Sequence, residues 1–381
     1  MNIKILTETV FAVSILIVFY SYIGYPISLY SIGMFRKIKI IRNNQYPSVT
    51  IIITAYNEGS RIRNKIENTL AIIYPKDKLQ IIIASDGSTD ATNQIAESYN
   101  KSGIELFNIK DRAGKENAQK EALKIAKGEV IVFTDVATIL QPSSIEKIVS
   151  NFADPSVGCV SSEDRLIGRD GKPSGEGFYV RYEMMLRRLE SMVNSLVGLS
   201  GSFFAARKSV CQDFSGEMQS DFRTLLNCVK MGLRGISDPE TTGTYLDVSD
   251  SNREFDRKVR TVLRGLTVYF QHIEFLNVFK YGFFSYQYFC HKLLRWLVPF
   301  FLIFAFVANL FLATMSQLYF ILFMGQLVFY GIAFLGWKGI WPSWKIIKIP
   351  YYFLTVNASI IMAWSRYLRR QRIVMWNPSE R

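Results

Sequence analysis

Residues 296–337 contain no Asp, Glu, Lys, Arg or His. A bilayer core needs roughly 20 apolar residues per helical crossing, so this stretch holds two crossings, hinged near Thr314 to Gln317. A second run without an ionised residue covers 9–35. It is too long for a signal peptide and no small-x-small cleavage site closes it. Arg36, Lys37, Lys39 and Arg42 follow at once, and the positive-inside tendency places what comes next in the cytoplasm. Lys338, Lys345 and Lys348 end the second apolar region and are assigned to a cytoplasmic loop. Residues 349–365 form a shorter apolar stretch, followed by Arg366, Arg369, Arg370 and Arg372. A third crossing would carry those arginines outside, so this stretch reads either as a span or as a re-entrant or interfacial helix.

Between the apolar ends lies a different pattern. Residues 49–54 and 79–84 are short, nearly unbroken β-branched and aliphatic runs, as in strands covered on both faces of a parallel sheet. Each ends in polar residues, TAYNE after the first and SDGSTD after the second. Ligands of open α/β sheets sit just beyond the carboxyl ends of the strands, which makes both loops candidate walls of one pocket. The alternation continues with strands at 104–108, 129–134 and 157–161 and a helix over 116–127. A helix after Pro142, a long amphipathic helix over 178–197, and a helix opened by Ser220 as N-cap and closed by Gly232 complete it. Residues 267–288 are aromatic-rich with only Glu274 and Lys280 charged, which suits a helix lying in the membrane interface.

The net charge of +13 alone would suit nucleic acid, but the basic residues cluster beside apolar stretches instead of forming one stripe. A surface of anionic lipid is the better partner. Cys159, Cys211, Cys228 and Cys290 are too scattered for a disulfide framework and read as reduced thiols. Two histidines and no Cys/His cluster argue against zinc.

The polar residues at the strand ends admit a bland and a chemical reading each. Asp86 and Asp90 lie around Gly87 in a turn with a capping serine or threonine, or Asp86 joins Tyr56 and Glu58 in holding a ribose and base. Asp135 caps a loop or holds a divalent ion through oxygen ligation. Lys115, at a helix start, is placed to meet a diphosphate. Asp221 stabilises a helix dipole or acts as a general base. Arg257, Lys258 and Arg260 are a solvated face or neutralise a leaving phosphate. Glu163 and Asp164 stand in reserve as metal ligand, acceptor contact or base. No GxGxxG follows the first strand and no GxxxxGK[ST] occurs, which argues against a dinucleotide enzyme.

Taken in order, TAYNE, SDGSTD, RAGK, FTD, GLSGSFFA, SDF and RKVR resemble a family 2 glycosyltransferase. The likeness is to the membrane-embedded branch that includes cellulose, chitin-oligosaccharide and hyaluronan synthases, and it covers roughly residues 47–300. CHKLLRW resembles the SHKxLRW that enters the membrane in many bacterial relatives. The resemblance implies an α/β chain with a GT-A (Rossmann-like, mostly parallel sheet) catalytic domain flanked by transmembrane helices. It divides into an N-terminal anchor (1–42), a cytoplasmic catalytic domain (43–265), an interfacial amphipathic segment (266–292) and a C-terminal transmembrane region of two to three helices with a basic tail (293–381).

The same resemblance assigns Ala55, Tyr56, Glu58 and Asp86 to the uridine of a UDP-sugar. Lys115, Arg257 and Arg260 go to the rest of the donor, and Asp135 to the divalent cation, Mg2+ or Mn2+. Gly201, Ser202 and Glu163 go to the acceptor, and Asp221 becomes the base of an inverting transfer. The expected partners are a nucleotide sugar, a polysaccharide or lipid-linked acceptor and the cytoplasmic membrane, with no nucleic acid. Three departures from the family pattern, at four positions, stand out. Ala137 replaces the second aspartate of Asp-x-Asp, Ser220 the acid before the base, and Arg257 and Thr261 the glutamine and tryptophan of Gln-x-x-Arg-Trp. The last leaves growing-chain synthesis and single addition to a lipid or lipid-linked glycan as alternatives, and the incomplete Asp-x-Asp adds a catalytically silent scaffold.

Overall fold

The computed structural model describes residues 3–43, 46–168, 177–212, 214–246, 251–340 and 345–372. These fall into two compact units. A sheet unit comprises 29–250 and 267–287, and a helical unit comprises 3–28, 251–266 and 288–372.

The sheet unit is built on eight strands. They are β1 (Val49–Ala55), β2 (Leu79–Asp86), β3 (Ile104–Ile109), β4 (Val130–Asp135), β5 (Ile139–Leu140), β6 (Val157–Ile167), β7 (Phe203–Arg207) and β8 (Arg234–Leu246), ordered β3-β2-β1-β4-β7-β6-β8-β5. The first four pair in parallel. β7 runs antiparallel to both β4 and β6, β6 and β8 are parallel, and β5 is antiparallel to β8. The sheet is therefore parallel in its first half and mixed in its second.

β1 is buried along its whole length, because helices cover both faces. Ile51 and Ile53 pack in one layer with Ile62 and Ile66 of helix α1 (Ile62–Leu70), while Ile52 packs in the other with Ala118 and Ala122 of α2 (Lys115–Leu123). Successive strand residues face opposite ways, so an all-apolar strand supplies two cores at once. Gly128, just before β4, lets that strand enter beside β1: a Cβ there would stand 2.4 Å from the Thr50 backbone nitrogen.

Beyond β6 come α3 (Gly177–Val193) and α4 (Ser220–Lys230). The N-cap of α4 is Gln219, and Ser220 lies in its first turn without capping. Gly232 follows the helix at φ +75°, the left-handed stop expected of it. The 267–288 stretch is not one interfacial helix: residues 267–271 end the helix Ser251–Gln271, and short helical pieces follow. Asn277 caps Val278–Tyr281 through its side chain, and Gly282 turns the chain at φ +55° before Phe283–Tyr288.

Among the described residues, four helices are long and apolar enough to cross a membrane: Ile3–Phe35, Phe283–Leu312, Gln317–Trp337 and Ile346–Leu368. The hinge expected near residue 314 is present between Leu312 and Gln317. The last helix begins at Lys345, so Lys345 and Lys348 belong to it and not to a loop. Within the helical unit, Trp364 Nε1 donates to the Trp296 carbonyl (2.9 Å) and Arg295 lies over the Tyr22 ring.

Candidate active site

The two loops that end β1 and β2 are tied to each other. Asn57, held at φ +50°, donates its amide to Ser88 Oγ and accepts the Thr89 amide at 2.8 Å. The Gly59 amide donates to Asp90 (2.8 Å), and the Glu58 amide donates to Thr92 Oγ1 (2.8 Å). Asp90 thus braces the turn.

Asp86 is fully buried at the end of β2, and its two oxygens accept the amides of Ala113 (2.9 Å) and Gly114 (2.8 Å). The carboxylate so fixes the loop that carries Lys115. Gly87 (φ +69°) makes room for this loop, since a Cβ there would stand 2.9 Å from the Arg112 backbone nitrogen. The Arg112 guanidinium lies over the Tyr56 ring at 3.6 Å, a cation–π stack at the mouth of both loops. Ala55 ends β1 fully buried. Glu58 is buried and paired with Arg61 at 2.6 Å. Burial pushes its carboxyl above the usual range, against the opposing pull of Arg61.

Lys115 is where the strand ends meet. Its Nζ donates to Asp135 Oδ1 and to the Gly201 carbonyl (2.9 Å). The Asp135 amide in turn donates to the Ser202 carbonyl (3.1 Å). Gly201 also abuts Asp221, because a Cβ on Gly201 would lie 3.3 Å from Asp221 Oδ2. Gln219 donates to that same oxygen at 3.2 Å. Asp86, Lys115, Asp135, Gly201 and Asp221, spread over the chain, therefore form one connected cluster at the carboxyl ends of β2 and β4.

Two groups in this neighbourhood extend the sequence reading: Lys65, which it missed, and Asp164, which it held only in reserve. Lys65 of α1 is fully buried and donates to Thr134 Oγ1 (3.0 Å) and the Thr138 carbonyl (2.6 Å), on either side of Asp135. Burial lowers its ammonium to about 7, with the charge of Asp135 opposing. A signal existed: Ile62, Lys65, Ile66 and Thr69 fall at i, i+3, i+4 and i+7, the buried stripe of an amphipathic helix. The second group is Asp164, whose Oδ1 accepts the hydroxyls of Ser200 (2.6 Å) and Ser202 (3.0 Å). Its neighbour Glu163 is engaged by the Arg188 guanidinium, with Nη2 at 3.0 Å. The carboxylate beside Gly201 and Ser202 is thus Asp164, and the expected acceptor contact Glu163 is committed to α3.

Arg257 and Arg260 belong to the helical unit, in the helix Ser251–Gln271. There Arg257 grips Glu254 through two nitrogens at 2.6 Å, Lys258 shares that carboxylate, and Lys258 lies over the Tyr352 ring.

Asp135 is the residue expected to hold a divalent ion. One of its oxygens is engaged by Lys115, Ala137 offers no second carboxylate, and no group of three His, Cys, Asp or Glu residues gathers among the described residues. Mg2+ is usually held by one or two carboxylates together with substrate phosphates. The partly exposed Asp135 side chain (27%) fits that mode and not a protein-only cage.

Comparison with known proteins bears on this arrangement. Residues 50–214 match the model of glycosyl transferase family 2. The chain is similar to poly-beta-1,6-N-acetyl-D-glucosamine synthase of Staphylococcus aureus, with 25% identity over 178 residues, 45% of this chain and 42% of that protein. The protein of the same name from Staphylococcus epidermidis is 23% identical over 186 residues, 47% of this chain and 44% of that one. The match thus spans less than half the length of these curated relatives. A mannosyltransferase from Pyrobaculum calidifontis, solved in complex with GDP-Man and Mn2+, superposes with a TM-score of 0.77 at 20% identity, over 96% of this chain and all of that one. That likeness shows a GT-A fold.

Proposed function

We propose that the protein, whose residues 50–214 match the model of glycosyl transferase family 2, moves a sugar from a nucleotide sugar, a UDP-sugar, to a growing surface polysaccharide with inversion to a β-linkage. The observation that carries this reading is the Lys115–Asp135–Gly201–Asp221 cluster. It puts a cation for a diphosphate and a carboxylate for a hydroxyl on either side of one small-residue turn.

In the proposed reaction the donor base stacks beside Tyr56 and Arg112, and the loop braced by Asp86 presents Lys115 to the phosphates. Asp221 takes the acceptor hydroxyl proton. The freed oxygen forms its bond to the anomeric carbon from the face opposite the leaving group, the bond from that carbon to the phosphate oxygen breaks, and its electron pair departs with the diphosphate. General-base assistance is worth about 10²–10⁴-fold. Asp135 would hold a divalent cation bound together with the diphosphate, and that cation would supply positive charge against the departing nucleotide. Lys115 supplies a fixed positive charge on the same side, which a developing phosphate anion needs.

The staphylococcal relatives are named for a β-linked polymer, which supports both the linkage and a polymeric product. The membrane assignment rests on the four apolar helices and on Arg36, Lys37, Lys39 and Arg42 after the first, which favour a cytoplasmic catalytic unit. Phe279 is 99% exposed beside exposed Val278 and Ile273, as expected of side chains that meet a headgroup layer.

The test is a donor screen on detergent-solubilised full-length protein. Release of UDP from one UDP-sugar and a ladder of labelled products support the proposal. Exclusive turnover of GDP-mannose would overturn the donor class, and a single addition would overturn the polymeric acceptor.

A further inference from the structure

The reaction centre contains a turn that meets Lys115, Asp135 and Asp221. The Gly201 carbonyl accepts from Lys115 Nζ at 2.9 Å. The Ser202 carbonyl accepts the amide of Asp135 at 3.1 Å. The Gly201 Cα lies against Asp221, near enough that an added Cβ would stand 3.3 Å from Oδ2. Lys115, Asp135 and Asp221 are thus all referenced to three residues, Ser200, Gly201 and Ser202. The middle one is a glycine, which loses more backbone freedom on ordering than any other residue.

Asp164 supplies the order. Both serine hydroxyls, on either side of Gly201, donate to the same oxygen, Oδ1, at 2.6 and 3.0 Å. Ser200 is fully buried, and its amide is fixed separately by Ser161 Oγ at 2.8 Å. The Arg187 guanidinium stands 3.8 Å from Oδ2 and donates to the same Ser161 hydroxyl at 3.3 Å. Hydrogen bonds to an ionised acceptor are roughly twice as strong as neutral ones. Two of them converging on one atom clamp the turn from below. Arg187 steadies the charge from the far side.

We propose that Asp164 is a positioning residue for the transfer step. Acting through Ser200 and Ser202, it sets the height of Gly201 and with it the spacing between Lys115 and Asp221. It makes no bond to substrate in this account, and its effect falls on the orientation of the reacting groups more than on nucleotide binding, which the separate Asp86 brace serves. The inference rests on the transferase reading above.

The experiment compares full-length wild type with Asp164→Ala, Asp164→Asn and the Ser200→Ala/Ser202→Ala double variant in detergent. It measures kcat and KM for the donor, UDP affinity by calorimetry, and the thermal midpoint. A displacement of about 1 Å at reacting groups costs about 10²-fold. Asp164→Ala and the double serine variant are therefore expected to lose about 10²-fold in kcat, with donor KM and UDP affinity within about threefold of wild type. Asp164→Asn keeps an acceptor oxygen for the two hydroxyls and is expected to recover most of that loss. A kcat for Asp164→Ala within about threefold of wild type overturns the inference while leaving the transferase reading intact. So does a loss that falls equally on kcat, UDP affinity and the thermal midpoint, which would make Asp164 a folding residue only. No turnover by wild type with any donor overturns the transferase reading and the inference together.

Discussion

The two halves of the sheet hold their loops by opposite means. In the half built from β3, β2, β1 and β4, the strands are parallel and covered on both faces, and the strand-end loops are fixed mainly by side chains that accept backbone amides: Asn57 from Thr89, Asp90 from Gly59, Asp86 from Ala113 and Gly114. In the half built from β7, β6, β8 and β5, the strands are mixed, and the decisive bonds join one side chain to another: Asp164 to Ser200 and Ser202, Glu163 to Arg188, Arg42 to Asp238. The first arrangement ties the backbone and tolerates little. The second ties side chains, so a substitution there changes the local geometry before it changes the fold.

The largest expected difference is steric. In Gly128→Ala the new methyl meets the backbone at Thr50 and Val49, 2.4 and 2.6 Å away, and neither can retreat without parting β1 from β4. Overpacking of this kind costs about 1–3 kcal/mol or more, so denaturant unfolding of Gly128→Ala is expected to show a loss at or above the top of that range. Gly235→Ala, in the second half, meets the end of the Leu225 side chain at 2.2 Å, which can rotate away. It is expected to cost about 1 kcal/mol. Equal losses would break the comparison.

Next comes Asp86→Ala. It strands two amides, each costing about 1–3 kcal/mol when buried and unpaired, and frees the loop before Lys115. Calorimetry with UDP is expected to show affinity weakened by about tenfold or more, whereas Asp164→Ala leaves that affinity nearly unchanged.

Lys65 gives a pH signature to the first half. Its folded-state value of about 7 lies below the ordinary 10.5, so between these values the unfolded chain binds more protons than the folded one. Stability then rises as pH increases from about 7 to about 10.5, and the gain is absent below pH 7. Lys65→Met is expected to flatten that slope in urea titrations at several pH values. An unchanged slope would show that the ammonium stays charged through its bonds to Thr134 and Thr138.

The smallest effect belongs to Glu163→Gln. Its partner Arg188 has a side chain 53% exposed, and pairs open to solvent contribute about 0–1 kcal/mol. Stability is expected to fall by less than about 1 kcal/mol, and turnover to stay at the wild-type level. A marked loss of turnover would return Glu163 to the acceptor site.

The same contrast explains what was legible in the sequence. β1 and β2 announced themselves because strands buried on both faces are continuous apolar runs, and the residues after them cluster within a few positions of the strand ends. Asp86, Lys115, Asp135, Gly201 and Asp221 were all named from sequence, and the structure gathers them into one cluster. The second half was not readable in this way. β8 contains glycines, a serine and threonines that imitate a loop, and it holds Pro239 in its interior. Choosing Asp164 over Glu163 required the face of β6, which depends on a register irregularity between Ser161 and Glu163 that no local pattern reveals. Ser220 was a plausible cap by residue type, but the chain turns one residue earlier, at Gln219. Residues 267–288 read as one helix because aromatic composition does not expose the breaks at Asn277 and Gly282.

The account depends most on Asp221, which only the tertiary fold brings beside Gly201 and Lys115. The direct measurement compares Asp221→Asn with wild type in two assays on the same preparation, UDP binding by calorimetry and nucleotide release from the donor with acceptor present. Unchanged binding with release lowered by about 10²–10⁴-fold is the predicted result. Release at the wild-type rate from a variant that binds UDP normally would contradict it.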